Sequence, residues 1–176
     1  MANGVSGRDA PILIVVFALG ASRCALRHEE VREFLPVPHL WRPPGAPRVL
    51  EGFLNLGGAP VPVIALDRLL EVPGAGQPAP LAHRHLILLR AEPSGWQVAL
   101  LVERVLDVRQ VAPEQLRPAG GQHTLNDCVV AEIEAADGFV HLLAAERLML
   151  AQERAALQEL SAAVQARLSE WEVLPA

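Results

Sequence analysis

The chain has 176 residues, 51% of them hydrophobic, a formal net charge of −5 and a pI near 5.7. That is one domain's worth of chain with enough apolar content for a real core, and it argues against both a disordered chain and an electrostatically driven nucleic-acid binder. Every basic residue is arginine, with no lysine and no tyrosine anywhere, so a Walker phosphate loop, a kinase-type lysine, a Schiff base and a pyridoxal site cannot be built.

The opening stretch, "RDAPILIVVFALGASRCA", has the outline of a secretory leader. An acid beside Arg8, a proline at the start of the apolar run and Arg23 just before Cys24 speak against that, and Ile12–Leu19 reads as a buried strand closed by a Gly20-Ala21-Ser22 turn. A second strand follows at Arg23–His28, then a polar kink at Glu29-Glu30 and an extended piece over Val31–Val37. "PHLWRPPGAP" is a loop. Val49–Leu54 is a short strand or turn, Ala59–Leu66 a strand, and "LDRLLEV" a short helical turn. Pro73–Ala82, rich in glycine, proline and alanine, is the linker candidate. No stretch is long enough to cross a bilayer, so direct membrane insertion is not expected.

Beyond the linker the pattern begins again. His85–Arg90 and Trp96–Val102 are apolar strands around an "AEPSG" turn. In "ERVLDVRQV", Glu103, Val105 and Asp107 take the spacing of Glu29, Val31 and Glu33 in "EEVREFLPV". "GFVHLLAAERLML" repeats "APVPVIALDRLLE", with Glu146-Arg147-Leu148 in the place of Asp67-Arg68-Leu69. Two matches in the same order, displaced by similar amounts, predict an internal duplication: two small β-barrels packed on one another, one over 12–72 and one over 83–141, within a domain ending near 150. Pro60 and Pro62 lie on one side of their strand, so both missing N–H donors fall in one row, which is expected to face outward at an edge or bulge. From about Leu142 the chain reads as a helical extension to 176, with Leu157, Leu160, Val164, Leu168 and Trp171 forming an apolar stripe for the barrels or for a partner.

Candidate chemistry is sparse. His83 and His85 alternate, but no acid or cysteine joins them at ligand spacing, so they read as a solvated pair and no metal is expected. Cys24 and Cys128 sit in no metal-spaced pair and read as buried hydrophobes in a reducing compartment. Cys24 and His28 lie too far apart along one strand for a nucleophilic pair, and Gly57-Gly58 leads into no helix and so makes no phosphate cradle. Glu29, Glu30 and Glu33 read as a solvated rim that selects partners. Val31 between them either faces outward as the apolar centre of an interface or faces the core, and spacing does not separate the two.

Four segments carry a family resemblance: "FALGASRCALRHEEVREFLPV", "APRVLEGFLNLGGAPVPVIALDRLL", "VALLVERVLDVRQVAPEQLRPA" and "VAEIEAADGFVHLLAAERLML". From about Ile12 to Leu150 the chain resembles the CheW coupling proteins of bacterial chemotaxis, most specifically at Gly52, Asn55-Leu56, Gly58, Pro62 and Asp67. The resemblance implies two five-stranded SH3-like β-barrels with a C-terminal helix, no catalysis and no cofactor. It implies a cytoplasmic adaptor that binds the regulatory domain of a CheA-type histidine kinase and the cytoplasmic tip of a methyl-accepting chemoreceptor. Val31 and Glu33 match the family's partner-binding face, and Gly52, Leu54, Asn55 and Gly58 its turn segment. Gly57 stands where the family carries an arginine, and Cys24 where it carries an aromatic. Losing a multi-donor guanidinium at a contact implies altered partner choice, as in an array controlling pilus-driven motility. The reading from another class is an exported β-barrel ligand-binding protein with the N-terminal run as its signal.

Overall fold

Strand formation follows the apolar runs. In the computed structural model, which describes residues 10–72, 79–120 and 127–172 with side chains to residue 170, the first half supplies β1 (Ile12–Leu19), β2 (Ser22–Arg27), β3 (Val31–Pro36), β4 (Leu50–Leu56) and β5 (Ala59–Ala65). A helical turn, α1 (Leu66–Leu69), closes it. The second half supplies β6 (His85–Leu89), β7 (Ala99–Val102), β8 (Arg104–Val111), β9 (Leu116–Pro118), β10 (Val129–Ala135) and β11 (Gly138–Leu143), and then the helix α2 (Ala151–Glu172).

These strands form two mixed sheets, ordered β8-β1-β2-β11-β10-β9 and β3-β6-β7-β5-β4. The orders are twins: β1-β2 corresponds to β6-β7, β8 to β3, and β11-β10 to β5-β4. In each sheet one junction is parallel, β2 with β11 and β7 with β5, and the rest are antiparallel. The twinning reaches the defects. β3 has a register shift between Val31 and Glu33, and β8 pairs Asp107 and then Val105 with consecutive residues of β1, so Arg32 and Leu106 are the extra residues of equivalent β-bulges. The duplication read from Glu29-Val31-Glu33 and Glu103-Val105-Asp107 is therefore present in the backbone.

The expected barrels, however, are corrected in two ways. Among the described residues no closed barrel forms; each sheet is open, its two end strands unpaired with one another. Nor does each half build its own sheet. The middle of the chain, from Val31 to Val102, makes one sheet, and the segments before and after it make the other. Each half keeps its first hairpin and sends its remaining strands to the other half's hairpin. The burial pattern accommodates this, because strands apolar on both faces pair equally well with either copy's twin.

Three cores result. Ile14, Val16, Ala25 and Val140 form a core on one face of the first sheet, and Leu54, Val63, Leu86 and Leu101 one on a face of the second. Phe17, Leu26, Ile87 and Leu100, from the opposite faces of the same hairpins, pack together between the sheets. The alternation ties β1, β2, β6 and β7 into two cores at once, which is why β1, β6 and β7 carry almost uninterrupted apolar sequence and β2 an apolar centre at Cys24–Leu26.

The helix begins nine residues later than expected. Leu142 and Leu143 still alternate as strand residues, Leu142 in the first sheet's core and Leu143 between the sheets. A 3₁₀ turn over Ala145–Arg147 follows before α2. This turn and α1, carrying Glu146-Arg147 and Asp67-Arg68, close the twin strands β11 and β5. Leu157, Leu160 and Val164 of the apolar stripe pack into the inter-sheet core, whereas Leu168 is exposed; the side chain of Trp171 lies outside the described residues. β7 starts at Ala99, three residues after the expected Trp96. Within the expected linker, residues 73–78 lie outside the described residues, and Leu81–His83 form a 3₁₀ turn. His85 is half-buried and its Nδ1 accepts the Val105 N–H at 3.0 Å, so it is not part of a solvated pair.

Candidate partner-binding surface

Proline at alternating positions is the local cause of the site. β5 has β4 on one side along its whole length, but meets β7 only through Val63, Ile64 and Ala65. Pro62 and Pro60 stand opposite Phe53 and Asn55. A proline cannot donate, so these are the non-hydrogen-bonded pairs of the ladder, and the absent N–H groups fall on the side away from β4. β7 has no donors to meet there. The expectation of an outward row is thus met in half of the strand: β5 is interior at its C-terminal end and an open edge at its N-terminal end. Between Ala59–Val61 and the segment 95–97 a recess of about 470 Å³ remains, walled by Leu56, Pro60, Val61 and Trp96.

One lip of the recess is the β4–β5 hairpin. Leu56 pairs with Ala59, leaving Gly57 and Gly58 as a two-residue loop with φ of +61° and +90°. Both central residues in the left-handed region define the turn type whose twist matches antiparallel strands, and glycine adopts it without strain. The Asn55 side-chain oxygen accepts the Gly58 N–H at 2.8 Å and locks the turn. A Cβ on Gly57 would meet nothing within 4 Å, so the arginine that the resemblance places here would have room but would carry the cost of left-handed backbone.

The other lip is the bulge of β3. Arg32 reaches over the recess, its Nη1 donating to Gln97 Oε1 at 3.4 Å and its Nε lying 3.7 Å from a Glu33 oxygen. Beyond it Phe34 is 39% exposed. Phe34 lies opposite Ile87, as Val108 lies opposite Val15 on the twin edge, where Val108 is 42% exposed. Both edge strands of the inter-sheet layer therefore show an apolar side chain at the same ladder position.

The residues singled out in the sequence separate into two groups. Asn55, Gly57 and Gly58 are exposed and Glu33 is half-exposed, all around the recess. Val31 is 2% exposed and belongs to the inter-sheet core, which decides its two readings in favour of the core. Leu54 is buried in the second sheet's core. Gly52 is buried, and a Cβ there would come within 3.0 Å of both Leu40 Cβ and the Trp41 carbonyl oxygen, whose strand-like bridge to Phe53 it would break. These three hold the surface from behind. Arg32, Ala59, Trp96 and Gln97 were not singled out from the sequence, because they converge only once β3 and β5 have joined the hairpin of the other half.

The rim acids also differ among themselves. Glu29 is exposed, but Glu30 turns inward: its carboxylate accepts the N–H of Arg27 and the N–H of Ala145, each at 3.0 Å. Burial pushes its pKa above the ordinary 4.5, with the two N–H groups pulling it partly back. It ties the crossover between the sheets to the segment entering α2. On the far side of the Trp96 ring, Arg154 lies 5.6 Å from the ring centroid and pairs with Glu92. The two cysteines are free and buried, and the Cys24 thiol is pushed up to about 12, first by burial and then by the neighbouring Cys128. Among the described residues no group of three His, Cys, Asp or Glu side chains is placed to hold a metal, and no helix is long and apolar enough to cross a membrane.

Two open, interlocked sheets presenting bulged edges, a rigid hairpin tip and a shallow recess define a β-rich two-sheet domain with an exposed edge surface. The description "CheW-like domain" matches residues 13–153, and the chain belongs to that family, whose members are scaffolding adaptors of chemotaxis signalling. Among solved structures, the scaffolding protein TtCheW from Thermoanaerobacter tengcongensis is similar with a TM-score of 0.66 and 23% identity, over 77% of this chain and 90% of that one, a likeness that establishes the fold. No curated protein matches the chain.

Proposed function

We propose that this chain is a cytoplasmic, non-catalytic adaptor that couples the regulatory domain of a CheA-type histidine kinase to the cytoplasmic tip of a chemoreceptor. The observation that carries the reading is the pairing of a rigid, exposed hairpin tip, Asn55–Gly58, with the bulged edge bearing Arg32, Glu33 and Phe34, on a scaffold of the CheW-like family. Apolar edge residues supply contact area and the flanking charges select the partner. Val31, Gly52 and Leu54 serve the surface by fixing β3 and β4 beneath it. Glycine at position 57 removes a guanidinium from the tip and, on this reading, redirects the adaptor to partners other than those of standard flagellar arrays, such as a pilus-controlling system. An exported ligand-binding protein is the less favoured alternative, since the family assignment covers the apolar run from Leu13 onward.

The experiment is capture of a kinase regulatory domain and of a receptor hairpin fragment, both cloned from the same genome, by the full chain. Wild type is expected to retain both. Glu33→Arg and Phe34→Ser, at accessible positions, are expected to lower capture of at least one about tenfold with an unchanged melting temperature. Failure of the wild type to retain either protein refutes the adaptor reading.

A further inference from the structure

The recess beside Gly57 has an unusual charge balance for a protein of net charge −5. Of the side chains that line it, Arg32 alone is charged; the nearest carboxylate, that of Glu33, stands beside Arg32 at the rim and not in the lining. Its guanidinium is bound on one flank by Gln97 at 3.4 Å and approached on the other by Glu33 at 3.7 Å, both long and half-exposed contacts. Donors are therefore left for a third group, and the β-bulge re-aims this side chain across the gap.

The floor also restricts what can enter. A strand adding to the open half of β5 would need alternating donors and acceptors, and at Pro60 and Pro62 the donors do not exist. Edge-to-edge sheet pairing is excluded here, and a side chain projecting from a helix, which brings no backbone ladder, is not. The walls offer apolar contact at Leu56, Pro60, Val61 and Trp96, so the fitting side chain has an aliphatic stem and an anionic head.

We propose that this recess is a specificity subsite for an acidic side chain, glutamate or aspartate, displayed on a partner's helix, with Arg32 as its counter-ion. Resting on the adaptor reading above, the occupant is assigned to the helical hairpin of the chemoreceptor. The kinase regulatory domain engages elsewhere.

The test is calorimetric titration of the full chain with a receptor hairpin fragment and, separately, with a kinase regulatory domain from the same genome. Arg32→Ala is expected to weaken the hairpin about tenfold, and Arg32→Glu further, with the salt dependence of binding reduced. Ala59→Trp, which fills the recess from an exposed position outside the glycine turn, is expected to abolish hairpin binding. Kinase-domain affinity is expected to stay within about twofold in all three. An arginine replacing one acidic residue of the hairpin is expected to restore binding to Arg32→Glu, naming the residue that enters. Should Ala59→Trp fail to fold, the Arg32 variants carry the test alone. Hairpin binding that is equal in wild type and the Arg32 variants overturns the subsite while leaving the adaptor standing. Loss of kinase-domain binding in place of hairpin binding overturns the assigned occupant. A wild type that binds neither probe overturns the adaptor reading and the subsite with it.

Discussion

Glu30 is one side chain on which the interlocked architecture can be probed. Its two carboxylate oxygens accept N–H groups from Arg27, at the end of β2, and from Ala145, beyond β11, so one residue fastens together segments 115 positions apart. Replacing it with alanine leaves two part-buried backbone donors unpaired. A hydrogen bond to a charged group contributes about 1.5–3 kcal/mol when well buried; because Glu30 is only half-buried, we take the lower end for each, giving a loss of about 3 kcal/mol. For a domain of this size that lowers the melting temperature by on the order of 10 °C. Glutamine can accept only one of the two bonds and is expected to lose about half as much. The pH dependence has a definite sign. Burial raises the folded-state pKa above the unfolded one, so the stability Glu30 contributes relative to glutamine is fully present below the ordinary value of 4.5 and declines as pH rises through the raised one. Urea unfolding followed by tryptophan fluorescence, on wild type and both variants from pH 4 to 8, measures all of this. An alanine variant with an unshifted midpoint would refute the stabilising role, and an advantage over glutamine that grows with pH would show that the two N–H bonds outweigh burial.

Other outcomes follow from the same structure. Val31→Arg buries a guanidinium in the inter-sheet core and is expected to cost several kcal/mol, leaving a chain that is unfolded or molten by near-ultraviolet dichroism, whereas Val31→Ala costs about 1–2 kcal/mol. Loss of partner binding in the arginine variant therefore reports on folding and not on contact. At pH 8, iodoacetamide is expected to leave both cysteines of the native protein unmodified over hours and to label both within minutes in denaturant, because Cys24 is buried with its thiol pushed up to about 12 and Cys128 is raised by burial as well; rapid native labelling would contradict their placement.

Local chemistry was legible in the sequence where its cause is local. The glycine turn at 57–58, the strand runs at Ile12–Leu19 and, one residue beyond its observed end at Ala65, Ala59–Leu66, and the repeat that relates Val31 to Val105 all follow from side-chain period and turn residues close together in the chain. Strand exchange was not legible, because twin hairpins present equivalent edges and nothing within one copy says which copy's edge it will join. The same degeneracy hid Arg32, Trp96 and Gln97, which belong to different halves of the repeat and meet only through that exchange. Pro60 and Pro62 announced an edge correctly, but an edge that ends midway along a strand depends on where β7 stops, and β7 stops because those prolines offer it no donor. The start of α2 was misplaced because "HLLAAERLML" satisfies both a period of two and a period near 3.6. Packing on both faces decided for strand as far as Leu143.

The adaptor account is tested most directly by hydrogen exchange of the full chain alone and in the presence of each partner fragment. It predicts added protection by the receptor hairpin at residues 32–34, 55–61 and 95–97, and protection by the kinase regulatory domain on a different part of the surface. Protection confined to α2 or β9, or no change with either fragment, would contradict it.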